Sequence, residues 1–211
     1  ASRLATSVLA THYHRKPDDP GRSLADAVRT ANRIIHEAGT ADPGLAGMGT
    51  TCTAIVIHSG RAWCAHVGDS RCYLVRDGGI LLMTEDHSSV MELVREGTIS
   101  ASEARNHPDK NVILRALGSH RDVEVAVWPR PFALEPGDRL LLCSDGLYDL
   151  ATDDDILAAV GGAAPQDACD HLVELARARG APDNVTVIVV AVPAGTAGDQ
   201  MRITRPVPVV R

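Results

Sequence analysis

The sequence predicts an α+β fold built on antiparallel sheets, and three observations support that prediction. Short runs of apolar and β-branched residues are joined by tight turns, amphipathic helical patterns come in separate blocks, and the two kinds of element do not alternate strictly. Hydrophobic residues make up 45% of the 211 residues, which is enough for one sizeable core. We therefore expect one folded domain over residues 1–193 and a Gly- and Pro-punctuated tail or linker over 194–211.

The first half of the chain reads as helices followed by hairpins. The chain starts in a helical pattern, and a second amphipathic helix ends near Gly39, with Ser23 and Asp26 spaced as a capping box at its start. Strand-like runs then pair across Ser59-Gly60 and across a turn at 77–79. This order predicts a β-meander behind a helix, with strands at 51–58, 61–68, 70–76 and 80–84.

The second half begins with a helical block from His87 to about Asn106, with another capping box at Ser100 and Glu103. The run at 185–192 is apolar throughout, which predicts a strand in a central position. The other predicted pieces are the apolar segments NVILRALG (111–118) and VEVAVWP (123–129), a strand at 139–145, and helices over Asp153 to Val160 and Gln166 to Arg179.

Charge and composition narrow the classes of function. A net charge of -6 without a basic stripe argues against nucleic-acid binding, and so does the 3% content of aromatic residues. Five cysteines without a CxxC pair favour small buried hydrophobes in a reducing compartment over a thiol or zinc role. No apolar stretch is long enough to cross a bilayer, so we expect no membrane insertion. The expected location is cytoplasmic, with a soluble piece of a larger protein as the alternative, because the chain starts without Met.

Acidic residues border several of the apolar runs. Asp69 follows one run, Asp145 ends the strand LLLCSDG, and Asp183 precedes the strand VTVIVVAV, while Asp149 lies one helical turn after Asp145. Each acid alone also fits an ordinary role, namely a turn, an Asx turn or a salt-bridged corner. Because an ionised carboxylate beside a buried strand is costly without a partner, the four together favour a site for Mg²⁺ or Mn²⁺.

Six short motifs give the sequence a family resemblance. In their order and approximate spacing they resemble the metal-dependent protein serine/threonine phosphatases of the PPM type, bacterial members above all. The resemblance covers about residues 1–192 and implies that 1–193 is a PPM-type phosphatase domain. It also implies a four-layer α-β-β-α sandwich of two antiparallel sheets flanked by helices. The motifs are GTT (49–51), VGDSR (67–71), TEDHS (84–88), NVILRALG (111–118), SDGL (144–147) and DNVT (183–186).

The resemblance also implies roles for individual residues. Asp145 and Asp183 match the carboxylates that hold two catalytic Mn²⁺ or Mg²⁺ ions, and Asp69 and Asp149 match the acids that bind a third, looser ion. The expected reaction is attack of a metal-activated water on phosphoserine or phosphothreonine in proteins phosphorylated by a Ser/Thr kinase, without a covalent enzyme intermediate. His87 is expected to start a helix rather than act as a general acid. The other matching positions are taken as structural supports: Gly49, Thr50, Thr51, Ser88, Gly146 and Asn184.

One departure from the family pattern leaves two further alternatives open. The family carries an upstream Arg that grips phosphate, an Asp-Gly turn that bridges both metals, and a nearby His, and these 211 residues contain no match to them. We therefore expect N-terminal strands to be missing and the chain alone to be nearly inactive. If the chain truly starts at Ala1, the first alternative is a non-catalytic phosphatase-like binding or regulatory domain. The second alternative is a metal phosphoesterase that acts on small molecules. Residues 88–110 resemble a mobile flap that would contribute to substrate choice.

Overall fold

The computed structural model describes residues 1–14 and 19–193, and these residues form a mixture of helices and antiparallel strands. The mixture confirms the predicted α+β class. A short 3-10 turn, Pro43–Leu45, precedes the first strand. In chain order the elements are α1 (Ser2–Tyr13), α2 (Pro20–Ala41), β1 (Cys52–His58), β2 (Arg61–Val67), β3 (Arg71–Arg76), β4 (Gly79–Leu82), α3 (Ser89–Arg95), α4 (Ala101–Ala104), β5 (Ala126–Val127), β6 (Phe132–Ala133), β7 (Arg139–Cys143), α5 (Asp145–Tyr148), α6 (Asp153–Val160), α7 (Pro165–Ala178) and β8 (Val187–Ala191).

The chain folds as two compact units. Of the described residues, unit 1 contains 1–14, 19–69 and 86–133, and unit 2 contains 70–85 and 134–193. The predicted tail over 194–211 lies outside the described residues. The extent of the domain, 1–193, stays a prediction.

Unit 1 contains an antiparallel sheet in the order β1-β2-β5, with β6 also pairing with β2. The hairpin of β1 and β2 runs in register from Cys52 opposite Val67 to His58 opposite Arg61. Its turn residues Ser59 and Gly60 both have positive φ, 49° and 72°. Two successive left-handed residues match the twist of antiparallel strands, which explains why the sequence predicts this hairpin correctly.

Helix α2 packs its apolar face onto the sheet of unit 1. Leu24, Val28, Ala31 and Ile35 recur at helical spacing and are buried in one core cluster. The predicted capping box at Ser23 is wrong, because the helix already begins at Pro20. The side chain of Asp19 accepts a hydrogen bond from the Arg22 N–H at 3.1 Å, and proline is well suited to the first helical turn.

Unit 2 contains a second antiparallel sheet in the order β4-β3-β7-β8. Its first hairpin turns at Asp77 and Gly78, which have φ of 51° and 73°, as the sequence predicts. The predicted meander is wrong because its four strands divide between two sheets. The central position predicted for β8 is also wrong for the described residues, where β8 pairs only with β7. Its apolar character comes instead from burial of Val187 and Val189 in the core cluster that includes residues of α7.

The helices of unit 2 follow the predicted pattern closely. Thr152 caps α6 and forms a reciprocal capping box with Asp155, and Pro165 begins α7. Ile156 and Leu172 are fully buried in the same core cluster as Leu141 of β7. Asp155 also forms an ion pair with Arg179 at 2.5 Å, so a charged contact joins the start of α6 to the end of α7.

The helical block after His87 is shorter and more broken than predicted. Helix α3 ends at Arg95, and Gly97 then adopts a φ of 74°, which a continuous helix does not allow. Helix α4 starts with the predicted capping box of Ser100 and Glu103. The following segment 111–118 forms only isolated bridges rather than a strand.

All five cysteines are free, and four are buried, as predicted for small hydrophobes. Burial raises the pKa of the Cys64 thiol to about 12, and the neighbouring Cys52 adds to the rise. Such a thiol stays protonated and unreactive near neutral pH. In the part of the chain that the structure describes, no helix is both long and apolar enough to cross a membrane.

Candidate active site

The end of β7 and the start of β8 meet at one edge of the unit 2 sheet. Cys143 lies opposite Val187 in the antiparallel register, so the residues that follow one strand lie beside those that precede the other. The Ser144 N–H donates to the Thr186 carbonyl at 3.1 Å, and the Ser144 hydroxyl donates to the Asn184 carbonyl at 3.2 Å. The sheet therefore brings Asp145 and Asp183, which are far apart in sequence, to the same edge.

Gly146 makes this close approach possible. A Cβ added there would lie 2.5 Å from the Asn184 carbonyl oxygen and 3.3 Å from Cγ2 of Val185. No side chain fits in that space without moving backbone. Because Gly146 has no side chain, the segment that contains Asp145 can touch the segment that contains Asp183. This close contact is the physical reason for the predicted supporting role of Gly146.

The carboxyl group of Asp145 lies in an unfavourable place for a negative charge. Burial raises its pKa, the Gly146 N–H bonded to Oδ1 at 2.9 Å opposes the rise, and the charges of Asp183 and Asp149 raise it further. Among the described residues, no cationic side chain forms an ion pair with Asp145. A divalent cation would relieve both the desolvation and the mutual repulsion. The Asp145 and Asp183 pair therefore fits one part of a metal cage.

Asp183 and Asp149 are positioned by local backbone contacts. Oδ1 of Asp183 accepts a hydrogen bond from the Asn184 N–H at 2.6 Å, so the Asx-turn interpretation describes its local geometry as well. The Asp149 N–H bonds to the Asp145 carbonyl at 3.0 Å and ends the short helix α5. Within residues 1–14 and 19–193, no three or more His, Cys, Asp or Glu side chains form a group that could hold a metal ion. The metal roles of the four acids stay predictions.

Asp69 is buried at the end of the first segment of unit 1, directly after a glycine with positive φ. Gly68 has a φ of 107°, and a Cβ there would lie 2.5 Å from Cγ2 of Thr51. The Gly68 N–H donates to Nδ1 of His87 at 3.0 Å, and the Gly68 carbonyl accepts from the His87 N–H at 2.8 Å. Thr51 and His87 therefore hold the backbone that precedes Asp69.

The contacts of His87 agree with a supporting role. Nδ1 accepts a hydrogen bond, so the neutral ring carries its proton on Nε2. Burial, with the nearby positive charge of Arg115, lowers the pKa of His87. The ring also stacks on His66, with centroids 4.8 Å apart. Ser88 is the N-cap residue of α3, so His87 directly precedes the helix start, as predicted.

The glycine and threonine at 49 and 50 pair with the segment that contains Leu117. Thr50 and Leu117 exchange two backbone hydrogen bonds of 3.1 and 2.8 Å. A Cβ on Gly49 would lie 3.3 Å from the Leu117 carbonyl oxygen, so a larger residue would press on this bridge. Gly49 and Thr50 thus support the loop structure of unit 1.

Comparison with known proteins places these features in a family. The model for the family described as protein phosphatase 2C matches residues 1–178. A serine/threonine protein phosphatase PstP from Mycobacterium tuberculosis is 43% identical over 193 residues, which cover 90% of this chain and 36% of that protein. A crystal structure of the Mycobacterium tuberculosis phosphatase PstP/Ppp superposes with a TM-score of 0.84 at 40% identity, covering 91% of this chain and 81% of that one.

The chain belongs to the protein phosphatase 2C family.

Membership in the protein phosphatase 2C family confirms the predicted resemblance to PPM-type phosphatases. The chain spans about a third of the length of the curated mycobacterial relative. A structure of the PstP catalytic domain was solved in complex with two manganese ions; it has a TM-score of 0.79 at 41% identity and covers 89% of this chain and 78% of that one. A family member close to this chain therefore binds two manganese ions.

Two residues that the sequence reasoning missed shape the phosphatase 2C fold of this chain. The amide of Asn32 is buried and makes three backbone hydrogen bonds, two donated to His120 and Arg121 at 3.1 and 2.9 Å and one accepted from Gly118 at 2.8 Å. The sequence feature that could have identified Asn32 is a polar residue on the otherwise apolar face of α2, because a buried polar side chain normally has hydrogen-bond partners.

The other missed residue is Arg71, at the start of β3. Its register partner is Cys143, so it lies at the same edge of the unit 2 sheet as Asp145. The guanidinium stacks 3.7 Å from the ring centroid of Tyr148 and donates to the Tyr73 hydroxyl at 3.1 Å. A planar cation at this edge is suited to oxyanion contacts. The signal for it was the Arg that follows Asp-Ser directly in VGDSR.

Proposed function

We propose that this chain is the catalytic part of a metal-dependent protein phosphatase that removes phosphate from phosphoserine and phosphothreonine in proteins. The observation that carries the proposal is the junction of β7 and β8, which brings Asp145 and Asp183 to one sheet edge, where neither forms an ion pair with a cationic side chain of the described residues. The names of the relatives, which are serine/threonine phosphatases, support the same reaction class. We also propose that the fold is the four-layer α-β-β-α sandwich that the family resemblance implies.

The residues proposed to hold two Mn²⁺ or Mg²⁺ ions are Asp145 and Asp183, with Asp69 and Asp149 proposed for a third ion. The bound ions would supply Lewis acidity to the phosphoryl oxygens and lower the pKa of an attacking water. The chain itself contributes the Asp145 carboxylate, whose pKa is raised because burial and the charges of Asp183 and Asp149 disfavour its ionisation. Gly146 holds the two acidic segments in contact.

A matched pair of substitutions tests the proposal. Asp145→Asn keeps the shape of the side chain and removes its charge, whereas Asp154→Asn makes the same change at an exposed residue in the first turn of α6. We expect Asp145→Asn, introduced into the full-length protein, to abolish Mn²⁺-dependent phosphate release from a phosphothreonine peptide and to weaken Mn²⁺ binding measured by electron paramagnetic resonance. Asp154→Asn should leave both unchanged. Full activity of Asp145→Asn would refute the assignment.

Substrate class is tested separately from metal use. Release of phosphate from phosphothreonine peptides should exceed release from small phosphomonoesters such as sugar phosphates at equal concentration. The reverse preference would favour a small-molecule phosphoesterase. Metal binding without hydrolysis of either substrate would favour a non-catalytic binding or regulatory domain.

We also propose that residues 88–110 contribute to substrate choice. This segment contains α3 and α4 and is attached at its ends by hydrogen bonds of Ser89, whose N–H donates to Val112 at 3.0 Å and whose hydroxyl donates to Asp109 at 3.1 Å. Shortening the segment between these attachments should change the preference among phosphopeptides while hydrolysis of an aryl phosphate stays near normal. Equal losses on both substrates would contradict this role.

A further inference from the structure

Unit 1 contains a groove lined by both tryptophans of the sequence. Its volume is about 400 Å³, and we call it the Trp–Arg groove. The residues that define it are Trp63, Trp128, Pro129, Pro131, Arg22 and Arg130. A second cavity of about 560 Å³ shares Arg29 with it, and we call the two adjacent cavities beside α2 the depression along α2.

One face of α2 carries a row of arginines along this depression. Arg22, Arg29 and Arg33 are spaced by seven and four residues, which places them within about 40° of one another around the helix axis. The row is about 16 Å long at 1.5 Å per residue. Arg130 lines the first cavity and Arg121 lines the second, so cations approach from the segment opposite the helix as well.

Most of this positive charge has no carboxylate partner. Arg29 pairs with Asp26 at 3.1 Å. Arg22, Arg33, Arg121 and Arg130 form no ion pair with the residues that the structure describes. Two other acids line the two cavities. Asp19 accepts the capping hydrogen bond from the Arg22 N–H, and Asp122 forms no ion pair with the residues that the structure describes, so five arginines face three acids. In a chain with a net charge of -6, a group of unpaired arginines is a feature that folding alone does not require.

The two indoles form a pre-organised apolar floor between these cations. Trp63 packs on the backbone of α2, where a Cβ at Gly21 would lie only 2.8 Å from its Cδ1. Trp128 contacts Phe132 edge to face at 6.0 Å, and its backbone N–H donates to the Cys64 carbonyl at 3.3 Å. Both rings are partly exposed, and rigid aromatic surface of this kind binds ligands at a low entropy cost.

We propose that the Trp–Arg groove, with the arginine row of α2, binds an extended acidic peptide segment of a partner protein. Guanidinium groups bind carboxylates in bidentate geometry, and the indoles and prolines contact the aliphatic parts of Asp and Glu side chains. An extended peptide rises about 3.3 Å per residue, so the row matches about five residues. A nucleic acid fits less well, because the net negative charge of the chain repels a polyphosphate beyond the groove.

The test uses the two tryptophans as the reporter. Because the sequence has only Trp63 and Trp128, a change of intrinsic fluorescence reports directly on this groove. The chain is titrated with a capped hexapeptide of alternating Asp and Glu, with the matched Asn and Gln hexapeptide as the control. We expect saturable binding of the acidic peptide alone, weakened by added salt.

Substitutions then locate the binding. Arg33→Glu combined with Arg130→Glu should raise the Kd for the acidic peptide about tenfold, as expected for reversal of two exposed charges. Asp26→Asn should strengthen binding, because it removes the negative charge from the middle of the row. Arg3→Glu, a single charge reversal of the same kind at an exposed residue of α1, should have no effect. Circular dichroism confirms that each variant is folded.

Three results would overturn the proposal. They are equal titration curves for the acidic and the neutral peptide, an unchanged affinity in the double variant, or tighter binding of a hexauridylate than of the acidic peptide. The last result would indicate a nucleic-acid partner.

If the proposed phosphatase function also holds, an acidic tail on a phosphopeptide should lower its KM without changing hydrolysis of an aryl phosphate. That consequence rests on the proposed function. The fluorescence titration needs no catalysis, so failure of either idea is recognisable by itself.

Discussion

Gly146 offers the sharpest test of how the acidic site is built. In Gly146→Ala the new Cβ would lie 2.5 Å from the Asn184 carbonyl oxygen. Ordinary van der Waals separation requires this contact to open by about 0.9 Å. Because φ of Gly146 is not positive, backbone strain does not contribute, and the effect is steric alone. The carbonyl that must move belongs to the residue directly after Asp183.

The magnitude follows from the two opposing effects of the added methyl group. Overpacking a close-packed site costs about 1–3 kcal/mol. Replacing Gly by Ala within a helix returns about 0.5–1 kcal/mol, because the unfolded chain loses freedom. We expect a net loss of about 1–2 kcal/mol in the free energy of unfolding, which lowers Tm by about 2–8 °C for a chain of this size.

The functional loss should exceed the loss of stability. If Asp183 holds a catalytic metal as proposed, a displacement approaching 1 Å at its carboxylate should cost about a hundredfold in rate. The assays are thermal unfolding of this chain by circular dichroism and Mn²⁺-dependent phosphate release from a phosphothreonine peptide by the full-length protein, at a temperature where variant and parent are both folded. Gly162→Ala is the matched control, because nothing lies within 4 Å of a Cβ placed there. If Gly146→Ala behaved like this control in both assays, the steric argument would be refuted.

Three further substitutions and one pH dependence follow from the same contacts. Asp145→Asn should raise the Tm of the metal-free protein, because burial and neighbouring acids already disfavour its charge; a lowered Tm measured in chelator would contradict that. Asn32→Ala should cost about 2–4 kcal/mol in urea unfolding, since it removes three hydrogen bonds of a buried amide, each worth about 0.5–1.5 kcal/mol; a cost below 1 kcal/mol would show that water replaces the amide. Ser88→Ala should change stability by less than about 0.5 kcal/mol, because its buried hydroxyl has no hydrogen-bond partner among the described residues. Folding lowers the pKa of His87, so the unfolded chain binds a proton at this residue more readily than the folded chain does. The free energy of unfolding should therefore fall as the pH drops below 6.5. The variant His87→Asn keeps an acceptor for the Gly68 N–H and should reduce this pH dependence, measured as the difference between unfolding curves at pH 7.5 and 5.5.

The sequence predicted most of the local structure because local patterns carry it. The turns at Ser59-Gly60 and at 77–79 require left-handed residues, and the residues present accept that conformation. The capping box at Ser100 formed because its partner is three residues away. The false capping box at Ser23 has the same spacing, but Asp19 and Pro20 start the helix earlier and leave Ser23 buried within it. A local pattern therefore predicts that a helix is present more reliably than it predicts the residue at which the helix begins.

The candidate site was predictable in its residue types and not in its arrangement. Apolar strands that border Asp145 and Asp183 indicated acids needing compensation, and the family motifs assigned them to metals. Their proximity depends on the register of β7 and β8, in which Cys143 lies opposite Val187. Strand register is a relation between distant segments, so no local pattern specifies it. The hydrogen bonds of Asn32 were not predictable for the same reason, because its three partners lie more than 80 residues away in the sequence.

The sequence by itself determined the α+β class, the positions of most turns and helices, the four acids and the family. These properties depend on short-range backbone preferences and on residue chemistry, both of which can be read along the chain. The tertiary structure alone decided that the predicted meander divides between two sheets, that β8 pairs only with β7 among the described residues, and that Gly146 is pressed against Asn184. It also gathered both tryptophans beside the arginines of α2. Packing between distant segments decides such contacts, because each depends on which surfaces bury one another.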